Sequence, residues 1–392
     1  MEAHICRLHS LVKLPRTVIT QIRHYKPRKI EEIRTRKIRN PSVSQMNARI
    51  IGVEEKREKT ILDEPPLHPK NAPLEERPNY NEEPCYTYHS KIRVLEGAKQ
   101  ALWLTKSKMM AEEMPERLQL LADIVDMPNM EDEVLRSVKK CRIFDDPKSF
   151  KIHPERFSFT QLMAFLHLCT KITPQYPKLL QRSIGQDYHL SAPFQRGKDR
   201  IKIRGRSGSI ITSKYPLLPL ATDEEIQDTA SFELESLHPI AGTIDLLPSN
   251  LYKWDKNSTG FFDGYPYPHA NLLLVLNKNS WMPQHLDAQL IFYAFANCLV
   301  RANKQYGVHS EVEKLDSPFV THAIGTNGRR WSFVSFQLNT TSLSSNDGIK
   351  NMVWLDSNCF LYQTITKKTL EVDTLDVNVF RKLLACYVDG AV

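Results

Sequence analysis

The sequence predicts an α+β fold, with a helical N-terminal part of the body followed by mostly antiparallel hairpins with packed helices. Three observations predict it. Helix-length segments punctuated by proline fill 91–172, strand and turn signals dominate 199–392, and the order is helices first, hairpins after, rather than βαβ alternation. The 392 residues, 41% hydrophobic and 25% charged, have an ordinary globular composition. No run of about 18 apolar residues occurs, which argues against a helical membrane span. Seven scattered Cys, none in a CxxC pair, support neither a disulfide framework nor a zinc ribbon and point to a reducing compartment.

The charge of +8 is confined to one end. Residues 1–40 carry eleven Lys/Arg against Glu2, Glu31 and Glu32, which accounts for the whole excess and leaves the remaining chain neutral. Residues 1–25 are basic, acid-poor and interleaved with Leu, Val and Ile, the composition of a mitochondrial transit peptide. Such a cationic amphipathic segment is drawn inward by the membrane potential, so the predicted location is the mitochondrial matrix. Arg23 and Tyr25 form an Arg-x-Tyr site at which cleavage is expected. A basic tail of a cytosolic or nuclear protein is the alternative.

Residues 26–59 form a basic flexible arm. In its first part, KPRKIEEIRTRKIR (26–39), Lys26, Arg28, Lys29, Arg34, Arg36, Lys37 and Arg39 face only Glu31 and Glu32, which suits insertion between RNA helices with counterion release. An ordinary solvated linker is the other reading. The segment 60–84 contains six Pro and is predicted to run extended, either as a linker or as a strap of about 75 Å over a partner. A globular α+β body is expected over 85–392, helical at 91–172 and sheet-rich at 199–392.

Within the body, Val94, Ala98, Ala101, Thr105 and Met109 recur at three- and four-residue steps, predicting a helix over 91–113. Helices are also expected at 116–125, 131–144 and 155–172, bounded by Pro128, Pro147, Pro154 and Pro174. The stretch RIKIRGRSGSIITS (200–213) reads as two short strands joined by a glycine turn. Thr326-Asn327-Gly328 marks a hairpin within 317–338, and Val334, Phe336 and Leu338 alternate with polar neighbours. Runs at 350–356 and 359–365 read as strands separated by a Ser-Asn turn. A long helix at 286–305 should stop at Gly307, and a last helix at 376–388 at Gly390.

Chemical motifs are sparse. The GRSG sequence at 205–208 resembles an anion cradle, but it lacks the GxxxxGK[ST] spacing and the last glycine of a GxSxG elbow. It reads first as a hairpin turn and second as an RNA-phosphate contact. Arg200, Lys202, Arg204 and Arg206 are spaced by two, which places them on one face of a strand suited to a phosphate backbone. His269, in a Tyr- and Pro-rich run, reads as structural rather than as a general base. Asp245 and Asp356 follow strand-like runs with nothing else pointing to a shared cleft. The sequons at Asn257 and Asn339 are irrelevant to a matrix protein. No metal-ligand spacing and no catalytic constellation is found, and no cofactor or small-molecule substrate is expected.

Longer blocks carry a family resemblance. CYTYHSKIRVLEGAKQALWLTKSK (85–108), TGFFDGYPYPH (259–269) and FQLNTTSLSSNDGIKNMVWLDS (336–357) resemble the family numbered thirty-seven in the large subunit of animal mitochondrial ribosomes. The PPLHP run (65–69), IRGRSGSIITSKYPLLP (203–219) and the ending FRKLLACYVDGAV (380–392) are similar too, in collinear order. The resemblance implies a non-catalytic structural subunit supporting mitochondrial translation. It also implies mitochondrial rRNA and neighbouring ribosomal proteins as partners, including a paralogous subunit. The alternative is a matrix enzyme of unrecognised class using the 205–208 loop.

Overall fold

The runs 270–275, 320–326 and 331–338 are buried at every position, so the sheet they form needs cover on both faces, and the chain supplies it with two layers of helices around one mixed sheet. The computed structural model describes residues 85–94, 96–143, 154–235, 256–277, 281–366 and 370–392. The expected transit peptide with Arg23 and Tyr25, the basic arm, the proline-rich segment and Asp245 lie outside these residues.

In chain order the described elements are β1 (Cys85–Tyr88), α1 (Ala98–Leu104), β2 (Ser107–Ala111), α2 (Glu116–Ile124), α3 (Met130–Ile143) and α4 (Pro154–Thr170). A long ribbon follows, β3 (Arg182–Arg196) and β4 (Asp199–Ser213), then α5 (Asp223–Asp228), β5 (His269–Leu276) and α6 (Pro283–Tyr306). The chain ends with β6 (Phe319–Thr326), β7 (Arg330–Leu338), β8 (Asn351–Phe360), the short pair β9 (Thr364–Ile365) and β10 (Val372–Asp373), and α7 (Asn378–Val388).

The main sheet runs β1-β4-β5-β6-β7-β8-β2, with β3 paired along β4. The pairs β3–β4, β4–β5, β6–β7 and β7–β8 are antiparallel, and β6–β7 is the hairpin that Asn327-Gly328 predicts. The pairs β1–β4, β5–β6 and β2–β8 are parallel. The connection β5–α6–β6 is therefore a βαβ crossover inside an otherwise hairpin-rich second half. Leu273, Val275, Ala323, Val334 and Phe336 pack with α1 and α6 on one face. Leu272, Leu274, Ile324, Trp331 and Phe333 pack with α2, α3, α4 and α7 on the other.

Helix α6 is buried from Leu286 to Asn303 on nearly every side. Its apolar residues circle the helix because it packs against α1 and the β3–β4 ribbon as well as against the central strands. Phe295 shows the arrangement: its ring lies 5.2 Å from Phe194 of β3 and 5.6 Å from Phe336 of β7.

Three expected elements differ. The helix predicted over 91–113 shrinks to α1, and Ser107–Ala111 becomes strand β2. Gly97 precedes α1 at φ 58° with its Cα against the carbonyl of Gln284, and Lys106 takes φ 49° immediately after it. Pairing of Ser107 with Asn351 then outweighs the helical period. The strands predicted at 350–356 and 359–365 are instead one strand, β8, carrying a bulge. Phe333 pairs with Asp356 and Trp331 with Cys359, so Ser357 and Asn358 together oppose Ser332, with Asn358 at φ 63°. The third difference, at 205–208, concerns the candidate site.

Candidate functional site

Strand β4 carries the basic residues singled out from sequence, and it is continuous through GRSG. Leu190 pairs with Gly205 and Tyr188 with Ser207, so the backbone groups of this stretch belong to a ladder. No turn and no phosphate-cradling loop forms at 205–208. The glycines serve close approach instead. A Cβ on Gly205 would lie 2.8 Å from the Tyr293 hydroxyl, and one on Gly208 would run into the Leu274 carbonyl oxygen. The actual reversal is Gly197-Lys198, where Gly197 takes the φ of 61° that a two-residue turn with glycine first requires.

Arg200, Lys202, Arg204 and Arg206 do alternate along β4, but they do not make one open basic stripe. Lys202 is 3% exposed, set beside Cys85, whose thiol is pushed up to about 11 by burial against the opposing pull of Lys202. Arg200 is half-buried and Arg204 is exposed. Arg206 lies on the same strand, opposite His189.

His269 opens β5. Burial, then the charge of Arg301, lowers its imidazole to about 4, and its Nδ1 has no hydrogen-bond partner. It is therefore a neutral packed ring at physiological pH. Asp356 lies on β8 with Lys382 on one carboxylate oxygen and the Cys359 thiol 3.1 Å from the other. Burial and the adjacent carboxylate push Cys359 up to about 12, which keeps it protonated and poorly nucleophilic.

One polar constellation escaped the sequence reading. Ser335 Oγ lies 2.9 Å from His322 Nδ1, and His322 Nε2 lies 2.9 Å from Asp389 Oδ2. This is the order of a nucleophile, base and orienting acid, but Ser335 is 3% exposed and His322 0%. Their atoms sit between sheet and helices, where no acyl group reaches. The same carboxylate oxygen accepts from Arg117 Nη2 at 2.8 Å, while Arg117 also donates to the carbonyls of Leu218 and Pro219. Arg182 donates to the carbonyls of Tyr387 and Asp389. The arrangement fastens the chain's end to α2, β3 and β6. No spacing announces it, because its members are 13 and 54 residues or more apart along the chain.

Among the described residues, no group of three or more His, Cys, Asp or Glu is placed to hold a metal ion, and no helix is long and apolar enough to cross a membrane. The polar residues brought together here act as anchors between distant segments of the chain.

Residues 275–390 match the family model described as "Mitochondrial 28S ribosomal protein S30 (PDCD9)". Over a far longer span the chain is similar to "Large ribosomal subunit protein mL37" of Rattus norvegicus, 37% identical with 84% of this chain and 80% of the relative covered. The Mus musculus protein of that name is 36% identical over 84% of this chain and 81% of the relative. The Gallus gallus protein is 35% identical over 83% and 79%. The two names differ in the subunit they cite. The family model reaches less than a third of this chain, so the near-full-length likeness decides between them. The class is that of the mitochondrial ribosomal proteins. The chain belongs to the mL37 family, and its location is the mitochondrion.

Proposed function

We propose that this chain is a non-catalytic structural constituent of the large subunit of the mitochondrial ribosome, held there by rRNA and by neighbouring ribosomal proteins. The observation that carries it is identity of 35–37% to mL37 proteins over most of both lengths. The match of 275–390 to a model named for a second ribosomal protein supports a paralogous subunit as one neighbour. The absence of a loop at 205–208 removes the footing of the enzyme reading, and Cys359 and His269 are in states unsuited to nucleophilic or base chemistry.

The charge distribution supports these partners. A nearly neutral body suits protein–protein contacts, while Lys26, Arg28, Lys29, Arg34, Arg36, Lys37 and Arg39 supply phosphate neutralisation from the arm, joined on the body by Arg200, Arg204 and Arg206. Lys202, buried beside Cys85, joins that set only if its strand opens. Residues 1–25 act as the import signal, removed after Tyr25.

Sedimentation of the tagged chain from a mitochondrial lysate, with and without RNase, tests the assignment. Migration with the large subunit, lost after RNase, is expected; a slow peak indifferent to RNase overturns it. Replacing Arg34, Arg36, Lys37 and Arg39 by Ala should weaken RNA association and reduce the slope of log affinity against log salt by about 3 to 4. An unchanged slope identifies the arm as a passive linker.

A further inference from the structure

The loop 339–350 between β7 and β8 is built around three cations that meet no buried carboxylate among the described residues. Arg196, at the tip of the β3–β4 ribbon, donates from Nη1 to the carbonyls of Leu343 (2.8 Å) and Ser345 (3.1 Å) and from Nη2 to the Asn346 side chain. Its Nε reaches the Trp103 carbonyl, and its guanidinium lies 4.7 Å from the Trp103 ring centre. Lys106 Nζ donates to the Ser342 carbonyl at 2.8 Å, and Lys350 Nζ to that of Gly348 at 2.6 Å. All three residues are 1–3% exposed.

This wiring has a directional consequence. The carbonyls of 342, 343, 345 and 348 point inward onto the cations, and that of Ser344 accepts from Gly197 N. The amides of Ser344, Ser345 and Asn346 find no acceptor in the chain among the described residues. Ser345, Asn346 and Asp347 are exposed. The outer part of the loop therefore presents the amides of Ser344, Ser345 and Asn346, beside the Asn346 and Asp347 carbonyls, which likewise meet no partner among the described residues, and it is backed by positive charge that carbonyl dipoles only partly offset. Burial, then repulsion from Lys350 and Arg196, brings Lys106 down to about 8, as expected of cations crowded together. The acids that act on Lys106, Asp347 and Glu311, are both exposed.

An outward set of donors over buried cations fits a ligand that is anionic and accepts hydrogen bonds without donating them. We infer that loop 342–348 docks the phosphate backbone of an RNA segment, with the amides of Ser344, Ser345 and Asn346 on the phosphate oxygens and Arg196, Lys106 and Lys350 supplying the field beneath. This rests on the ribosomal reading and adds to it a body surface separate from the basic arm. The small side chains of Ser344, Ser345 and Asn346 leave the backbone approachable. Asp347 is the one carboxylate in the loop and weakens the site.

The test uses the full chain carrying the four arm alanines, so that arm binding does not mask the loop, and a labelled RNA hairpin as probe. Exposed positions are altered, which spares the fold. Ser345→Glu should weaken binding about ten-fold and lower the salt slope by about one, while Asp347→Asn should tighten binding several-fold. Affinity and slope unmoved by both substitutions overturn the inference. In assembled particles, a photo-cross-linking residue in place of the exposed Asp347 should attach to rRNA; attachment only to protein, such as an acidic neighbour, also overturns it. If the chain fails to sediment with the large subunit at all, the ribosomal reading itself falls, whereas sedimentation without an rRNA cross-link removes the loop assignment alone.

Discussion

At the scale of single residues, glycine separates two roles that look alike in sequence. Gly205, Gly208 and Gly197 all lie in the β3–β4 ribbon, yet only Gly197 turns the chain. A methyl group on Gly208 would strike the Leu274 backbone, which has no rotamer to yield. On Gly205 it would meet the Tyr293 hydroxyl, the far end of a side chain that is itself buried. At Gly197 nothing lies within 4 Å, and the penalty is only the positive φ. Gly208→Ala should therefore cost about 2–4 kcal/mol, Gly205→Ala about 1–3, and Gly197→Ala about 1–2. Urea denaturation of the three variants checks the ranking, and an effect at Gly197 exceeding that at Gly208 would contradict the ladder through 205–208. The sequence could not distinguish these glycines because the distinction lies in Tyr293 and Leu274, which are distant in the chain. The Gly-Lys pair at 197–198 is itself a local turn signal, a weaker one than the two glycines of GRSG.

At the scale of elements, the last helix depends on one carboxylate beyond its end. Burial alone would raise the Asp389 carboxyl, but the hydrogen bond and charge of His322, with the Arg117 guanidinium, hold it below its ordinary value of 3.8. A depressed carboxyl contributes stability that is complete above its unfolded value and is lost as pH falls through the lower folded value. Asp389→Asn should cost about 3 kcal/mol at pH 7, because Arg117 and His322 lose their partner inside the fold. The gap between variant and parent should narrow below about pH 4 as the parent's own carboxylate becomes protonated. Denaturation midpoints at pH 7 and pH 3 measure it, and a gap that stays constant with pH assigns the cost to packing instead. Elements with local signals were legible: α2, α3, α4, α6 and α7 fall where apolar period and Pro or Gly punctuation placed them, as does the turn at Asn327-Gly328, whose Asn327 Oδ1 accepts from the amides of Arg329 and Arg330. Elements fixed by distant partners were not. β2 owes its strand to Asn351, and the Ser357-Asn358 bulge owes its form to Ser332. The candidate surfaces divide the same way. The alternation of β4 was readable, but the burial of Lys202 and the capture of loop 342–348 by Arg196 and Lys106 depend on residues more than 100 positions apart.

At the scale of the whole molecule, a helical first part and a sheet-rich second part describe the order of elements without dividing the body in two. The earliest described strands stand at opposite ends of the main path of the sheet: β1 pairs with β4 through Cys85 and Arg200, and β2 with β8 through Ser107 and Asn351. Helices α2, α3 and α4, from the first part, share a core with Trp331 and Phe333, from the second. Removing 85–173 would strip both strands and most of one helical layer, leaving Ile324 and Phe333 facing water. The entropy of closing these long loops is paid only when distant strands pair, which favours cooperative over stepwise assembly. Trp103 packs against one face of the sheet and Trp331 lies within the core on the other, so single-tryptophan variants report on the two layers separately. Both fluorescence transitions in urea should coincide with each other and with loss of circular dichroism, and a fragment spanning 174–392 should lack a cooperative transition. Separate midpoints for Trp103 and Trp331, or a cooperatively folding 174–392 fragment, would instead make the two layers independent units, each free to dock on the ribosome by itself.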